Sequence, residues 1–167
     1  MNCSMCENTK KLHPKKETVK FKDCGLENVT LVGATTYQCD SCGEKYYNFG
    51  DLENLHEQIA RALIARKEPL DGKEVRFLRK YLGFSTEFFS TLTDKTVETI
   101  SRYENNVEGY KVPKSIDTLI RMMADKKLQD RDYDFHNFLL MEKRKDIHTT
   151  IKLREQAGGK WKLQATG

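Results

Sequence analysis

Two pairs of cysteines are the residues in this chain whose spacing most clearly indicates chemistry. Cys3 and Cys6 are separated by two residues, and so are Cys39 and Cys42. This spacing lets both sulfurs of a pair face one ion, and two such pairs complete the tetrahedron that holds zinc in structural sites. We therefore predict one structural zinc ion per chain, with no open position for a catalytic water. A redox pair or an iron–sulfur centre is the alternative.

The other reactive side chains do not form a recognisable site. Cys24 stands outside both pairs; it could be a spare ligand or a reactive thiol, but we interpret it as an inert small side chain. None of the four histidines is spaced with another as a metal-binding pair. Because no nucleophile is paired with a base, we predict that the protein is not an enzyme.

The segments between the cysteine pairs alternate between apolar and polar residues. Alternation at 18–22, 29–32 and 35–38, with Gly33 as a break, predicts two or three short strands. Strands between two zinc-binding turns make a zinc ribbon, which we assign to residues 1–50. A segment this small buries little apolar surface, so bound metal is expected to supply much of its stability.

A connecting helix is predicted within 51–70. Asp51 is placed to cap it, and Pro69 to end it. Its apolar stripe has helical spacing and consists of Leu52, Leu55, Ile59 and Leu63.

Four more helical patterns fill residues 71–127. Gly83 is predicted to end the first helix, Ser85 to begin the second, and Asp94 or Thr96 to cap the third. The predicted apolar positions of the four helices are, in order, Val75, Leu78 and Leu82; Phe88, Phe89 and Leu92; Val97, Ile100 and Tyr103 or Glu104; and Ile116, Leu119, Ile120 and Met123.

The third of these helices has a polar outer face that suits a DNA major groove. Arg102 is the strongest base-contact candidate, because a guanidinium matches guanine O6 and N7. Glu98 could accept from a cytosine amino group or pair with Arg102, and an ordinary surface ion pair is the simpler interpretation. The remaining candidates for contacts with phosphates or bases are Ser85, Lys95, Thr96, Thr99, Lys111 and Lys114.

The last segment, 128–167, predicts a short helix followed by a β-hairpin. The helix pattern comprises Phe135, Phe138, Leu139 and Glu142. In the hairpin, Gly158 and Gly159 form the turn. The apolar residues expected on one face are Ile151, Leu153, Trp161 and Leu163.

The predicted fold class is therefore α+β: a small zinc ribbon, an all-α helix-turn-helix domain, and a C-terminal helix with a hairpin. The net charge of +4 is weak evidence for a nucleic-acid partner. No apolar run is long enough to cross a bilayer, and the N-terminus lacks the apolar core of a signal peptide, so we expect a cytoplasmic protein with no membrane partner.

Two motifs carry a resemblance to known families. Residues 99–106, TISRYENN, resemble the TISRWENG-type signature of Xre/Cro-like helix-turn-helix proteins, and residues 82–88, LGFSTEF, resemble the LGLSQEEL of the same family. Together with the N-terminal cysteine pairs, the second of which continues into Gly43 and Glu44, residues 1–125 resemble the MqsA-type antitoxins, which combine a YgiT-type zinc finger with a helix-turn-helix.

This resemblance implies a transcriptional repressor that is the antitoxin of a type II toxin–antitoxin system. The zinc domain would bind a ribonuclease-like toxin, and a homodimer would bind a palindromic operator. Arg102 matches a base-contacting arginine of the family, whereas Glu98 replaces an asparagine, so the operator sequence is expected to differ. The alternatives are a stand-alone, phage-encoded regulator without a toxin, and a protein-interaction adaptor that does not bind DNA.

Overall fold

The computed structural model describes residues 3–6, 12–128 and 150–164, which contain five helices and a five-stranded sheet. These residues form two compact units. The first is drawn from Met1–Phe21, Asn28–Gln58 and Thr150–Gly167, and the second from Lys22–Glu27 and Ile59–Thr149. No helix within the described ranges is both long and apolar enough to span a bilayer. The mixed α+β class is confirmed.

The first unit is built on a sheet whose long central strand is β2. The strands are β1 (His13–Lys20), β2 (Val29–Gln38), β3 (Lys45–Asn48), β4 (Ile151–Glu155) and β5 (Trp161–Leu163). Their order is β1-β2-β4-β5, and β3 also pairs with β2. The pairing of β2 with β4 is parallel and the other pairings are antiparallel.

The two strands predicted on either side of Gly33 are one continuous strand. Glu17 pairs with Ala34 and Val19 with Leu31, so Gly33 and its predecessor form a bulge in β2 opposite a single residue of β1. Gly33 has φ +77°, which glycine adopts without a steric penalty. The glycine therefore bends the strand without ending it.

The predicted C-terminal hairpin is present, but it is part of the first unit and not a separate extension. β4 pairs with β5, and β4 also lies parallel to β2, with Val29 opposite Ile151 and Leu31 opposite Leu153. All four of these side chains are buried, and so is Trp161. Since an isolated hairpin is marginally stable, this shared core explains why the hairpin joins the sheet. Leu163, on the edge strand, remains 49% exposed. The helix predicted around 135–142 lies outside the described residues.

Helix α1 (Leu52–Ala65) begins after Asp51, whose Oδ1 accepts from the Asn54 N–H at 2.9 Å. Three of the four predicted stripe residues are buried, but Leu52 is exposed because it stands in the first turn. The boundary between the two units falls inside this helix, after Gln58, and not at the ends of the predicted connector 51–70.

The second unit contains the remaining helices, which are α2 (Gly72–Leu82), α3 (Thr86–Thr93), α4 (Val97–Glu104) and α5 (Lys114–Leu128). Gly83 ends α2 with φ 81°, and Ser85 caps α3. Thr96 caps α4, whereas Asp94 is the C-cap of α3, with φ 52°. These helix boundaries are set by hydrogen bonds between residues close in sequence, and for this reason they could be predicted from the sequence.

The apolar positions predicted for the two short helices α3 and α4 were partly wrong. Of the three apolar positions predicted in α3, only Phe89 is buried, whereas Phe88 and Leu92 are 52% and 39% exposed. The other buried residue of α3 is Ser90. In α4, Ile100 and Glu104 point inward, and Val97 is exposed. Each helix has eight residues, so it makes little more than two turns and presents only a narrow inward face.

A fully buried arginine fastens α5 to the end of α1. Arg121 pairs with Asp117 at 2.7 Å and donates to the carbonyl groups of Leu63, Ile64, Arg66 and Glu68. Those carbonyls belong to the last turns of α1 and the chain after it, where helical partners run out. The buried guanidinium thus supplies the hydrogen-bond donors that these carbonyl groups lack.

Candidate metal centre and candidate nucleic-acid interface

The four predicted zinc ligands come together at the end of the sheet. The Sγ atoms of Cys3, Cys6, Cys39 and Cys42 all lie within 4.8 Å of one another. Cys3 is 3.6 Å from Cys42, and Cys6 is 3.6 Å from Cys39. A tetrahedral zinc–thiolate site requires sulfurs about 3.8 Å apart, whereas a disulfide requires about 2.05 Å. The cluster can therefore hold one metal ion, and its geometry is consistent with zinc.

The second cysteine pair sits in a tight turn formed by backbone hydrogen bonds. Gly43 N–H donates to the Cys39 carbonyl at 2.8 Å, and Cys39 N–H donates to the Glu44 carbonyl at 2.9 Å. Gly43 has φ +76°, a left-handed conformation that glycine adopts without a steric penalty. Backbone N–H groups of Cys42 and Ser41 lower the pKa of Cys39 and so favour the thiolate that binds metal.

Tyr46 on β3 supports the first pair. Its hydroxyl lies 3.3 Å from the Cys3 sulfur and accepts from the Ser4 N–H at 3.0 Å. The Tyr46 hydroxyl and the backbone N–H of Met5 lower the pKa of Cys3 to about 6. Cys3, Cys39 and Leu12 form a small buried cluster, against which Tyr37 and Tyr46 pack.

Cys24 is not a member of the four-cysteine cluster. It is half-buried in the second unit, and burial raises the pKa of its thiol. A raised pKa disfavours the reactive thiolate, in line with the interpretation of Cys24 as inert.

The second group of predicted site residues lies on and around α4. Ile100 and Glu104 are buried, while Lys95, Thr96, Glu98 and Arg102 are exposed and Thr99 is half-buried. Ser85 is exposed at the start of α3, where its Oγ accepts from the Phe88 N–H at 3.0 Å. Lys111, in the segment that follows α4, and Lys114, the first residue of α5, are both exposed. α4 therefore presents a continuous polar face to solvent.

Arg102 is held by Tyr110, a residue outside the set of predicted DNA contacts. Its Nη1 donates to the Tyr110 hydroxyl at 2.5 Å, and its Cζ lies 4.9 Å from the centroid of the Tyr110 ring. Arg102 thus has a partner besides Glu98, the pKa of whose carboxyl group is also lowered by the charge of Arg102. Tyr110 stands in the loop after α4, so no helical period links it to Arg102.

Glu98 is engaged at the N-terminus of its own helix. Hydrogen bonds from its backbone N–H and from the Thr96 hydroxyl lower the pKa of its carboxyl group. Thr96 Oγ1 in turn accepts from the Thr99 N–H at 3.2 Å. Negative charge is stabilised at a helix N-terminus, so Glu98 remains ionised on the exposed face.

No protein-family model, curated protein or solved structure matches this chain.

Proposed function

We propose that the protein is a sequence-specific DNA-binding repressor in which α3 and α4 form a helix-turn-helix. The observation that carries the proposal is the two-sided character of α4. Its buried side, Ile100 and Glu104, packs into the unit, and its exposed side carries Glu98 and Arg102. A helix of this kind can lie in the major groove while the preceding helix crosses the backbone.

In this proposal Arg102 contacts guanine, and Glu98 contacts a cytosine amino group. The N-terminus of α3 at Ser85 offers backbone N–H groups to a phosphate. The other predicted phosphate or base contacts are Lys95, Thr96, Thr99, Lys111 and Lys114. Two subunits related by a two-fold axis would place two α4 helices about 34 Å apart on a palindromic operator.

The cysteine cluster is proposed to hold a single structural zinc ion. Four thiolates occupy all four coordination positions of a tetrahedral zinc ion, so no position remains for substrate or water. This supports a structural role for the metal and a non-enzymatic role for the chain.

The antitoxin role is proposed because the zinc-binding motif precedes the helix-turn-helix motif along the chain. This is the same order as in the MqsA-type antitoxins that the sequence resembles. A ribonuclease-like toxin encoded beside this gene would bind the chain and lose its activity. Expression of the adjacent gene alone should arrest growth, and co-expression with this protein should restore it. If no neighbouring product is toxic or co-purifies, the stand-alone regulator is the better description.

Selection of bound sequences from random duplex DNA tests the repressor proposal. We expect a palindromic consensus, and we expect Arg102→Ala to weaken binding to it by about 1–3 kcal/mol and to relax one position of each half-site. Lys80→Ala, which removes an exposed cation from α2, is the matched control and should retain the consensus. An unchanged affinity and consensus in Arg102→Ala would refute the placement of α4.

A further inference from the structure

The two cysteine pairs differ in sequence, although their sulfurs meet at one site. The second pair is followed by Gly43, whose positive φ lets its N–H close the turn on the Cys39 carbonyl. The first pair is followed by Glu7, a residue type for which positive φ is uncommon. The first pair therefore lacks the glycine that shapes the turn of the second.

A side chain from the sheet supports the first pair instead. The Tyr46 hydroxyl lies 3.0 Å from both the backbone nitrogen and the Oγ of Ser4, and 3.3 Å from the Sγ of Cys3. Tyr46 belongs to β3 and pairs with Tyr37 of the long central strand β2. The first pair is thus attached to the sheet by a contact that does not depend on a metal ion.

The chemistry of the three groups sets the direction of these hydrogen bonds. A metal-bound cysteine is a thiolate, which has no proton and can only accept. The Tyr46 oxygen accepts from the Ser4 N–H, and the phenolic proton is then free to point at the Cys3 sulfur. Tyr46 therefore joins the backbone of the first pair to one of its two sulfurs.

The Cys3 thiolate needs such a donor because water does not reach it freely. Cys3 is 4% exposed, whereas Cys42 is exposed to solvent. A zinc ion with four thiolates carries net negative charge, and a charged acceptor removed from water must receive hydrogen bonds from the protein. The backbone N–H groups of Met5 and Cys6 supply part of this requirement at Cys3, and the Tyr46 hydroxyl adds a side-chain donor.

We propose that Tyr46 is a positioning residue of the metal centre, whose hydroxyl holds the first cysteine pair in place, donates to the Cys3 thiolate and thereby sets the affinity for zinc. This role rests on the proposed zinc site and adds to it a residue that does not itself bind the metal. Removing a hydrogen-bond partner of a metal ligand typically weakens metal binding by about 10–100-fold.

Competition of the full chain against a chromogenic zinc chelator measures the affinity. Tyr46→Phe keeps the ring and removes only the hydroxyl, and we expect it to bind zinc about 10–100-fold more weakly than the wild type. The matched control is Tyr37→Phe. Tyr37 packs against the same buried cluster as Tyr46, but among the described residues its hydroxyl contacts none of the four sulfurs. The control should therefore keep the wild-type affinity.

Cobalt(II) in place of zinc reports on the hydrogen bond itself. A hydrogen bond to a thiolate lowers the energy of the sulfur lone pairs and so raises the energy of the sulfur-to-cobalt charge-transfer band. At saturating cobalt we expect this band to move to longer wavelength in Tyr46→Phe and to stay in place in Tyr37→Phe. Because the site is filled in this measurement, a variant that only folds less well is not mistaken for one that lacks the bond.

Two results would overturn the role of Tyr46. One is wild-type zinc affinity in Tyr46→Phe. The other is a weaker affinity with an unmoved cobalt band, since the loss would then come from packing and not from the hydroxyl. A wild-type chain that binds neither zinc nor cobalt would refute the proposed metal site and this role with it, so the two failures are distinguishable.

Discussion

Arg79 and Glu104 form a bidentate ion pair that joins α2 to α4 inside the second unit. Arg79 Nε is 2.6 Å from Glu104 Oε1, and Arg79 Nη2 is 2.8 Å from Oε2. Arg79 also donates to the carbonyl of Phe84, at the turn before α3. Both side chains are buried. The orientation of α4, and thus of its exposed face, depends on this pair.

Glu104→Gln should destabilise the second unit by about 3 kcal/mol. The substitution leaves the buried guanidinium of Arg79 without a counter-charge, and breaking a buried pair by removing one partner is costly. Urea unfolding followed by far-UV circular dichroism measures the change. Lys80→Gln, at an exposed neighbouring position, should leave the midpoint unchanged. Equal midpoints for both variants would show that the pair does not stabilise the unit.

Gly72→Ala should also destabilise the second unit, by about 1–3 kcal/mol or more. A Cβ at this first residue of α2 would lie 1.7 Å from the carbonyl oxygen of Tyr103 and 2.6 Å from Asn106 Oδ1. The backbone of α4 has to move to admit it, and overpacking of this kind is costly. Thermal unfolding should show a lower midpoint than for Lys73→Ala at the next position. A midpoint equal to that of the control would contradict the close packing of α2 on α4.

Removal of the metal should unfold the first unit and leave the helices of the second. Trp161 is the only tryptophan in the chain, is 2% exposed, and donates from Nε1 to the Phe49 carbonyl. A zinc chelator should therefore shift its emission to longer wavelength, while the helical circular dichroism signal is largely retained, because the second unit has its own buried core. Zinc added back should reverse the shift.

Cysteine variants provide the control for the chelation experiment. Cys39→Ser removes one of the four sulfurs and should give the shifted emission without chelator. Cys24→Ser should bind one zinc ion per chain and keep the wild-type spectrum. If chelation leaves the Trp161 emission unchanged, the metal is not needed for the sheet to fold.

Tyr110→Phe should weaken operator binding by about 0.5–1.5 kcal/mol, the usual net value of a hydrogen bond. The hydroxyl that orients Arg102 is lost, whereas the ring beneath the guanidinium remains. In the Arg102→Ala background the same substitution should have no effect, and the double-mutant cycle should give the coupling energy directly. Additive effects of the two substitutions would indicate that Tyr110 does not position Arg102.

The features predicted correctly from the sequence are those that depend on a few neighbouring residues. Cysteine pairs with two intervening residues, helix caps such as Ser85 and Thr96, and the end of α2 at the left-handed Gly83 are decided within a turn of backbone. The hairpin at 151–163 is equally local. The helix bounds of the second unit followed from these signals and from apolar periodicity.

Long-range contacts and the inward side of the short helices were decided only by the tertiary structure. Lys16 and Glu155 meet across 139 positions of the chain, and β4 joins β2 in parallel because that arrangement buries Leu153 against Leu31. Periodicity cannot anticipate such pairings, nor can it show that Phe88 faces solvent. The residue types determined which local structures form, and the burial of apolar surface between distant segments decided which of them pack together and which side chains remain exposed.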